Sequence, residues 1–501
     1  MKRKILSLTV ILCLAGQAIS CSSDDNTKET ITSEVFETQV IEDINLVKAL
    51  KELGYEFDGN ALKLTDKVLN AKTLDLSAKQ ISNLNGIKAF NQLEEIILKD
   101  NNFILEFDFS SLPKSVKSID LQNNELYEFY NISKQHSLTK LYLPEQARFN
   151  MEDVLEFYNA NKEDILKNNI DMKMVENGKL SIYTTLREIP DPILREYMQE
   201  TFPSMFSKSG EKIDIATPMR VPENTAEFHL GLYFNYSSFS DPNYDQTKDP
   251  DTYDNTYLYL DDPKEDFKTT RIKNYEGIQY ILQHKDYGAS WFDVSNNAKE
   301  VNSSIEYLKI PDNGLTWFWM RKFNIKHGIN ITSKSLKMVV LNFMSGFETL
   351  DLSSCSDFFV GGALTMSGLE ISNSHELKNI VIPKSKLSDP EAGQIRLRYL
   401  SKLQEADFSH LTGLWGTSSF KGLPSWNAQF PEKLSTIKGS TRIAFDKLML
   451  DNNKEKAISI MHKLADAAEK HQFFLAGINP LYGTWSNTLM MDKDGKLLEK
   501  K

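Results

Sequence analysis

Residues 93–103 read LEEIILKDNNF, and residues 116–126 read VKSIDLQNNEL. Leu93, Ile96, Leu98, Asn101 and Phe103 of the first stretch recur as Val116, Ile119, Leu121, Asn124 and Leu126 of the second. The same spacing precedes them, in Ala71, Leu74, Leu76 and Ile81, and follows in Leu138, Leu141 and Leu143. The second apolar position of each pair falls at 76, 98, 121 and 143, so the period is 22 to 23 residues. Apolar residues two apart alternate as a short strand requires. A fixed period of this length marks stacked units that share one core. The polar Asn101 and Asn124 recur at one place in that core, where an amide satisfies backbone groups of neighbouring turns that are otherwise buried unpaired.

This pattern resembles the leucine-rich repeat family. The resemblance implies an α/β repeat fold, a leucine-rich repeat solenoid with an extended concave face that holds a partner. The pattern returns less regularly further on. Ile305, Leu308, Ile310, Asn313 and Leu315 match in full, and Phe347, Leu350, Leu352 and Cys355 match with cysteine in the asparagine place. Leu377, Ile380 and Ile382, then Leu403, Ala406 and Phe408, are weaker copies. The uneven spacing here predicts insertions that bulge from the repeat. Asn101, Asn124, Asn313 and Cys355 are the expected structural ladder.

Residues 81–90, ISNLNGIKAF, echo residues 272–281, IKNYEGIQYI. Each lies behind a helical pattern. The first, near Asp43 to Leu53, puts Ile44, Val47 and Leu50 on one face. The second has Asp191 placed to cap and Pro192 in the first turn. Both resemble the helical caps of internalin-like repeat proteins. The expectation is two tandem irregular units: 40–180, and 181–445 with an insertion near 236–266, followed by a C-terminal helix and tail over 446–501. That helix is read at Asp451 to His471, either as a cap or as a docking helix.

Ahead of the repeats, Lys2, Arg3 and Lys4 lead an apolar run from Ile5 to Ala15. The run is too short to span a bilayer and suits a secretory signal over 1–20. Ala18-Ile19-Ser20-Cys21 resembles the lipobox of bacterial lipoproteins, which implies lipid attachment at Cys21. Ser22-Ser23-Asp24-Asp25 resembles the acidic export tag of Bacteroidetes surface lipoproteins. Residues 21–39 are polar and acidic and read as a flexible tether. The expected place is the outer membrane, lipid-anchored and facing the exterior, with the membrane as one partner. The formal net charge of −11 argues against a nucleic-acid partner. Of three cysteines, Cys13 leaves with the signal and Cys21 carries lipid. Cys355 alone remains, so no internal disulfide is expected.

Signals for chemistry are sparse. His462 and His471 form no H-E-x-x-H, and S-x-x-K at Ser111/Lys114 and Ser435/Lys438 has no companion motif. The expectation is a binding protein rather than an enzyme, with no cofactor and no metal. Carboxylates crowd between Asp241 and Asp254 without the register of a calcium loop, and Phe57-Asp58-Gly59-Asn60 is only a degenerate version of one. Side chains that point away from the core are mixed: Glu95, Ile97 and Lys99; Ser118, Asp120 and Gln122; Lys140 and Tyr142. Ile97, Lys99, Asp120 and Tyr142 are the candidate contacts for a protein ligand, with Ile97 and Tyr142 at their centre. The alternative is a glycan, captured for an outer-membrane importer on Trp291, Trp317 and Trp319. Trp317 and Trp319 read first as aromatics filling the core.

Overall fold

The computed structural model describes residues 36–219, 272–287 (273 apart), 291–295, 304–358, 368–383 and 391–408 (393 apart), with shorter strands at 229–232 and within 413–445 and 475–499. The signal, Cys21, the Asp241–Asp254 stretch and the helix read at Asp451–His471 lie outside the described residues.

The four L-x-L segments are strands Thr73–Asp75, Glu95–Ile97, Ser118–Asp120 and Lys140–Leu143, paired in parallel. Asp171–Glu176 adds a fifth parallel strand, and Lys179–Ile182 turns back on it antiparallel. Leu74, Ile96, Ile119, Leu141 and Met172 form one register column, facing inward with almost no exposure. Leu76, Leu98, Leu121 and Leu143 form the next. Fully burying an aliphatic side chain contributes about 1.5–3 kcal/mol, so these columns are a main source of the unit's stability.

Asn101 lies between them. Its Oδ1 accepts from the backbone N–H of Lys79 and Ile81, both at 3.0 Å, and its Nδ2 donates to the carbonyls of Leu76 and Leu98. Asn124 repeats the arrangement one turn on, accepting from Phe103 and donating to Leu98 and Leu121.

The two caps share one device. Helix Ile44–Glu52 starts at Asp43, whose Oδ1 accepts from the N–H of Asn45 and Leu46. Its Oδ2 takes the N–H of Ser82 and Asn83, fixing the first of the echoed loops. Helix Pro192–Thr201 starts at Asp191, whose Oδ1 accepts from Ile193 and Leu194 and whose Oδ2 takes the N–H of Asn274 in the second loop. Three residues beyond Asn83 and Asn274 stand Gly86 and Gly277, with φ of 96° and 107°. A Cβ on Gly86 meets the Val40 carbonyl oxygen at 2.4 Å, and one on Gly277 meets Ile189 at 3.0 Å. Each loop therefore closes on the segment that precedes its own cap.

The second unit departs from the expected register. The motif strands Leu308–Ile310, Thr349–Asp351, Asn379–Val381 and Glu405–Ala406 form short lateral sheets. The largest sheet comes from segments before, between and after them. It has eight parallel strands, at His229–Leu232, Trp291–Ser295, Trp317–Arg321, Met338–Asn342, Gly368–Ser372, Gln394–Arg398, Thr417–Lys421 and Arg442–Phe445. The insertion expected near 236–266 lies outside the described residues, but the described residues between the motifs form strands. They alternate inward side chains such as Phe318, Met320, Val339, Leu341, Leu369 and Ile371, all buried in one core.

That core crosses the boundary between the units, because Tyr127, Phe149, Met151 and Leu155 of the first belong to it. An ion triad lies at the same junction. Lys309 Nζ sits 2.6 Å from both Glu128 Oε2 and Glu152 Oε2, and Tyr307 OH donates to Glu128 Oε1 at 2.8 Å. Lys309 is 6 % exposed and Glu128 2 %. Burial pushes the Glu128 carboxyl up against the pull of Lys309. Burial disfavours the Lys309 ammonium too, but the two carboxylates outweigh it and hold the amine charged.

Candidate functional site

The outer face of the first sheet carries the candidate contacts. One register row runs across six strands as Asp75, Ile97, Asp120, Tyr142, Lys173 and Ile182. The row beside it is Thr73, Glu95, Ser118, Lys140 and Asp171. Ile97 and Tyr142 are half-buried, while Ile182 is 65 % exposed. Lys99 lies one step below Ile97 on the same face, 3.9 Å from Asp100.

Tyr142 is tied into a polar network and is no isolated apolar patch. Its OH donates to Asp171 Oδ2 at 2.6 Å, and the ammonium groups of Lys140 and Lys173 lie 4.9 and 5.2 Å from its ring centroid. The bond to Asp171, with burial, pushes the phenol up. Lys140 pairs with Glu95 at 3.3 Å and Lys173 with Asp171 at 3.0 Å. The other end of the row differs. Asp120 accepts only from Gln122, at 2.8–3.0 Å, and Asp75 from Ser77. Neither has a cation within salt-bridge distance among the described residues. Ile97 therefore stands between two carboxylates that form no salt bridge among the described residues, although Lys79 lies near enough to Asp75 to favour its charge.

Ile182 was not among the sequence candidates. Asn177 and Gly178 both take positive φ, 50° and 73°, in the two-residue turn before it. Asn-Gly is the strongest short hairpin signal, and it brings Ile182 opposite Lys173.

The tryptophans do not fill the core. Trp291, Trp317 and Trp319 are half-buried on the sheet face opposite Phe292, Phe318 and Met320, which do. A period-two strand sends residues 317 and 319 to one side and 318 and 320 to the other. Trp291 and Trp317 are register partners, stacked with centroids 4.2 Å apart, and Met338 flanks Trp317 on its other side. A sugar platform needs open ring faces, and here Trp291 and Trp317 cover one face of each other. Asp293, partnered with Trp319 in the ladder, has its carboxyl pushed up to about 7 by burial.

Other groups that carry chemistry are accounted for by structure. Cys355 is buried, which pushes its thiol up to about 12 and keeps it protonated near neutral pH. Asn313 donates to the carbonyls of Leu282 and His284. Phe57-Asp58 and Ala61 flank a hairpin turn at Gly59 and Asn60, and Lys51 Nζ donates to the Gly59 carbonyl. At the junction of the units a cleft of about 190 Å³ is lined by Glu145, Arg148, Arg187, Glu276 and Tyr280. Arg187 donates there to the carbonyls of Arg148, Thr184 and Leu186 and to Tyr183 Oη, so its nitrogens serve the chain itself. No set of three or more metal-ligating side chains is found among the described residues. None of the described helices is long and apolar enough to cross a membrane.

No protein-family model matches this chain. No curated protein matches it in sequence either.

Proposed function

We propose that this chain is a lipid-anchored leucine-rich repeat protein of the bacterial outer surface, which holds a protein partner on the outer face of its first sheet. The anchor is acyl chains on Cys21. The partner surface is the row centred on Ile97, with Lys99, Asp120 and Tyr142 beside it. One observation carries this reading: six strands expose an open face on which apolar side chains stand among charges, while the inward columns already supply the core. Interface energy concentrates in a few such residues. A glycan ligand on the second unit is the weaker alternative, because Trp291 and Trp317 stack on each other and so cover one face each.

The test is a pull-down from the surrounding milieu with the wild-type chain and with Ile97→Asp/Tyr142→Asp. The double variant keeps its circular dichroism and loses the partner. Equal recovery by both chains moves the site elsewhere.

A further inference from the structure

We infer that the partner presents an amphipathic α-helix, laid across the strands along the row Asp75–Ile97–Asp120–Tyr142–Lys173–Ile182, with basic side chains on either side of its first apolar contact. This rests on the first sheet being the binding face and adds the shape and charge of what binds there.

The row sets a spacing. Neighbouring strands lie about 4.8 Å apart, so Ile97, Tyr142 and Ile182, on alternate strands, are spaced by about 9.6 Å. An α-helix rises about 1.5 Å per residue, so positions i, i+7 and i+14 of one face are about 10.5 Å apart. Positions three or four residues away, about 4.5–6 Å along the axis, fall over the strands between. Every residue of the row then meets a side chain of the helix. An extended peptide repeats on one face at about 6.7 Å and drifts out of step at once. A polyproline helix matches the alternate strands, at about 9.3 Å per turn, but puts no side chain over Asp120 or Lys173.

Charge fixes the composition and the direction. Asp75 and Asp120 flank Ile97 without a salt bridge among the described residues, Lys79 acting on Asp75 only from a distance, while Lys140 and Lys173, each paired, flank Tyr142. Lys or Arg at positions three or four before and after the first apolar residue supplies what the acidic end lacks. The positive N-terminal end of the helix dipole favours that end, and the negative end favours Lys173.

The probe is a synthetic 21-residue peptide with Leu at every seventh position, Lys three before and four after the first Leu, and Glu near the last. Two controls have the same composition, one scrambled and one with a central proline. Anisotropy titrations use the full-length chain. The helical peptide binds at least tenfold more tightly than either control. Asp75→Lys/Asp120→Lys reverses the preference toward a peptide whose lysines are replaced by Glu, and a melting curve matching wild type shows the variant folded. Controls within threefold of the helical peptide, no binding of any peptide up to 1 mM, or an unreversed charge preference overturns the inference. A natural partner that depends on Ile97 and Tyr142 but docks through a non-helical segment overturns the helix alone and leaves the binding face standing. A partner indifferent to both residues overturns the face as well.

Discussion

Replacing Lys309 by Met removes the only cation from a triad whose carboxylate Glu128 is 2 % exposed. Glu152 is 41 % exposed and is solvated by water when the amine goes, so the penalty falls on Glu128. Tyr307 OH still donates to it, but one hydroxyl does not offset a buried charge. Removing one partner of a buried pair costs about 3–5 kcal/mol, and that is the expected loss for Lys309→Met at neutral pH. The carboxyl is already pushed up by burial, and without Lys309 it rises further. A carboxyl raised in the folded state binds more protons folded than unfolded, so stability falls as pH rises above its ordinary value near 4.5. The variant's deficit is therefore largest at pH 8 and shrinks toward pH 5. Glu128→Gln in the same chain recovers most of it, because the neutral amide needs no cation. Urea unfolding followed by fluorescence at both pH values measures this. A deficit under about 1 kcal/mol, or one independent of pH, refutes the view that a buried charge pins the two units together.

Four further outcomes are expected. Asn101→Leu strands the N–H of Lys79 and Ile81 and the carbonyls of Leu76 and Leu98; at roughly 1–3 kcal/mol per unsatisfied group it lowers stability by several kcal/mol in urea titration, whereas Asn102→Leu, outside the ladder, changes little. Asp293→Asn removes a carboxyl whose folded value is near 7, so the fall in wild-type stability from pH 4 to pH 7, roughly 3–5 kcal/mol, is flattened in the variant's pH–stability profile. Asp43 behaves oppositely. Burial works against its charge, but hydrogen bonds from Ser82, Leu46 and Asn83 hold it below the usual carboxylate range, so Asp43→Asn narrows the stability lost as acid is added below about pH 4. Cys21→Ala abolishes fatty-acid labelling in cells, and normal incorporation rules the anchor out.

The first unit was legible because its strands are buried on one face only. Leu74, Ile96, Ile119 and Leu141 alternate with Thr73, Glu95, Ser118 and Lys140, and that contrast survives in the letters. Of the two capping aspartates only Asp191 was legible as a cap, from the Pro192 that follows it; Asp43 marked no more than the start of a helical pattern. The long sheet was not. Trp317–Arg321 is apolar at four consecutive positions, and Met338–Asn342 and Gly368–Ser372 are buried throughout. Trp317–Arg321 and Met338–Asn342 thus read as continuous apolar runs without the period that marks an inward side, whereas Gly368–Ser372 alternates but carries none of the motif spacing. The regular motif spacing of that half belongs to the lateral sheets instead. Long-range chemistry was also hidden. Glu128 and Lys309 stand 181 residues apart, and nothing near either predicts the other. Tyr142 was placed on the correct face by alternation, but its bond to Asp171 depends on a strand that comes after two helices.

The partner face is tested most directly by hydroxyl-radical footprinting of the whole chain, with and without a saturating partner, since it reads side-chain exposure residue by residue. Strong protection of Ile97, Tyr142 and Ile182 is expected, with Trp291, Trp317 and Trp319 unchanged. Protection confined to the tryptophan-bearing strands, with Ile97 and Ile182 oxidised as in the free chain, contradicts it.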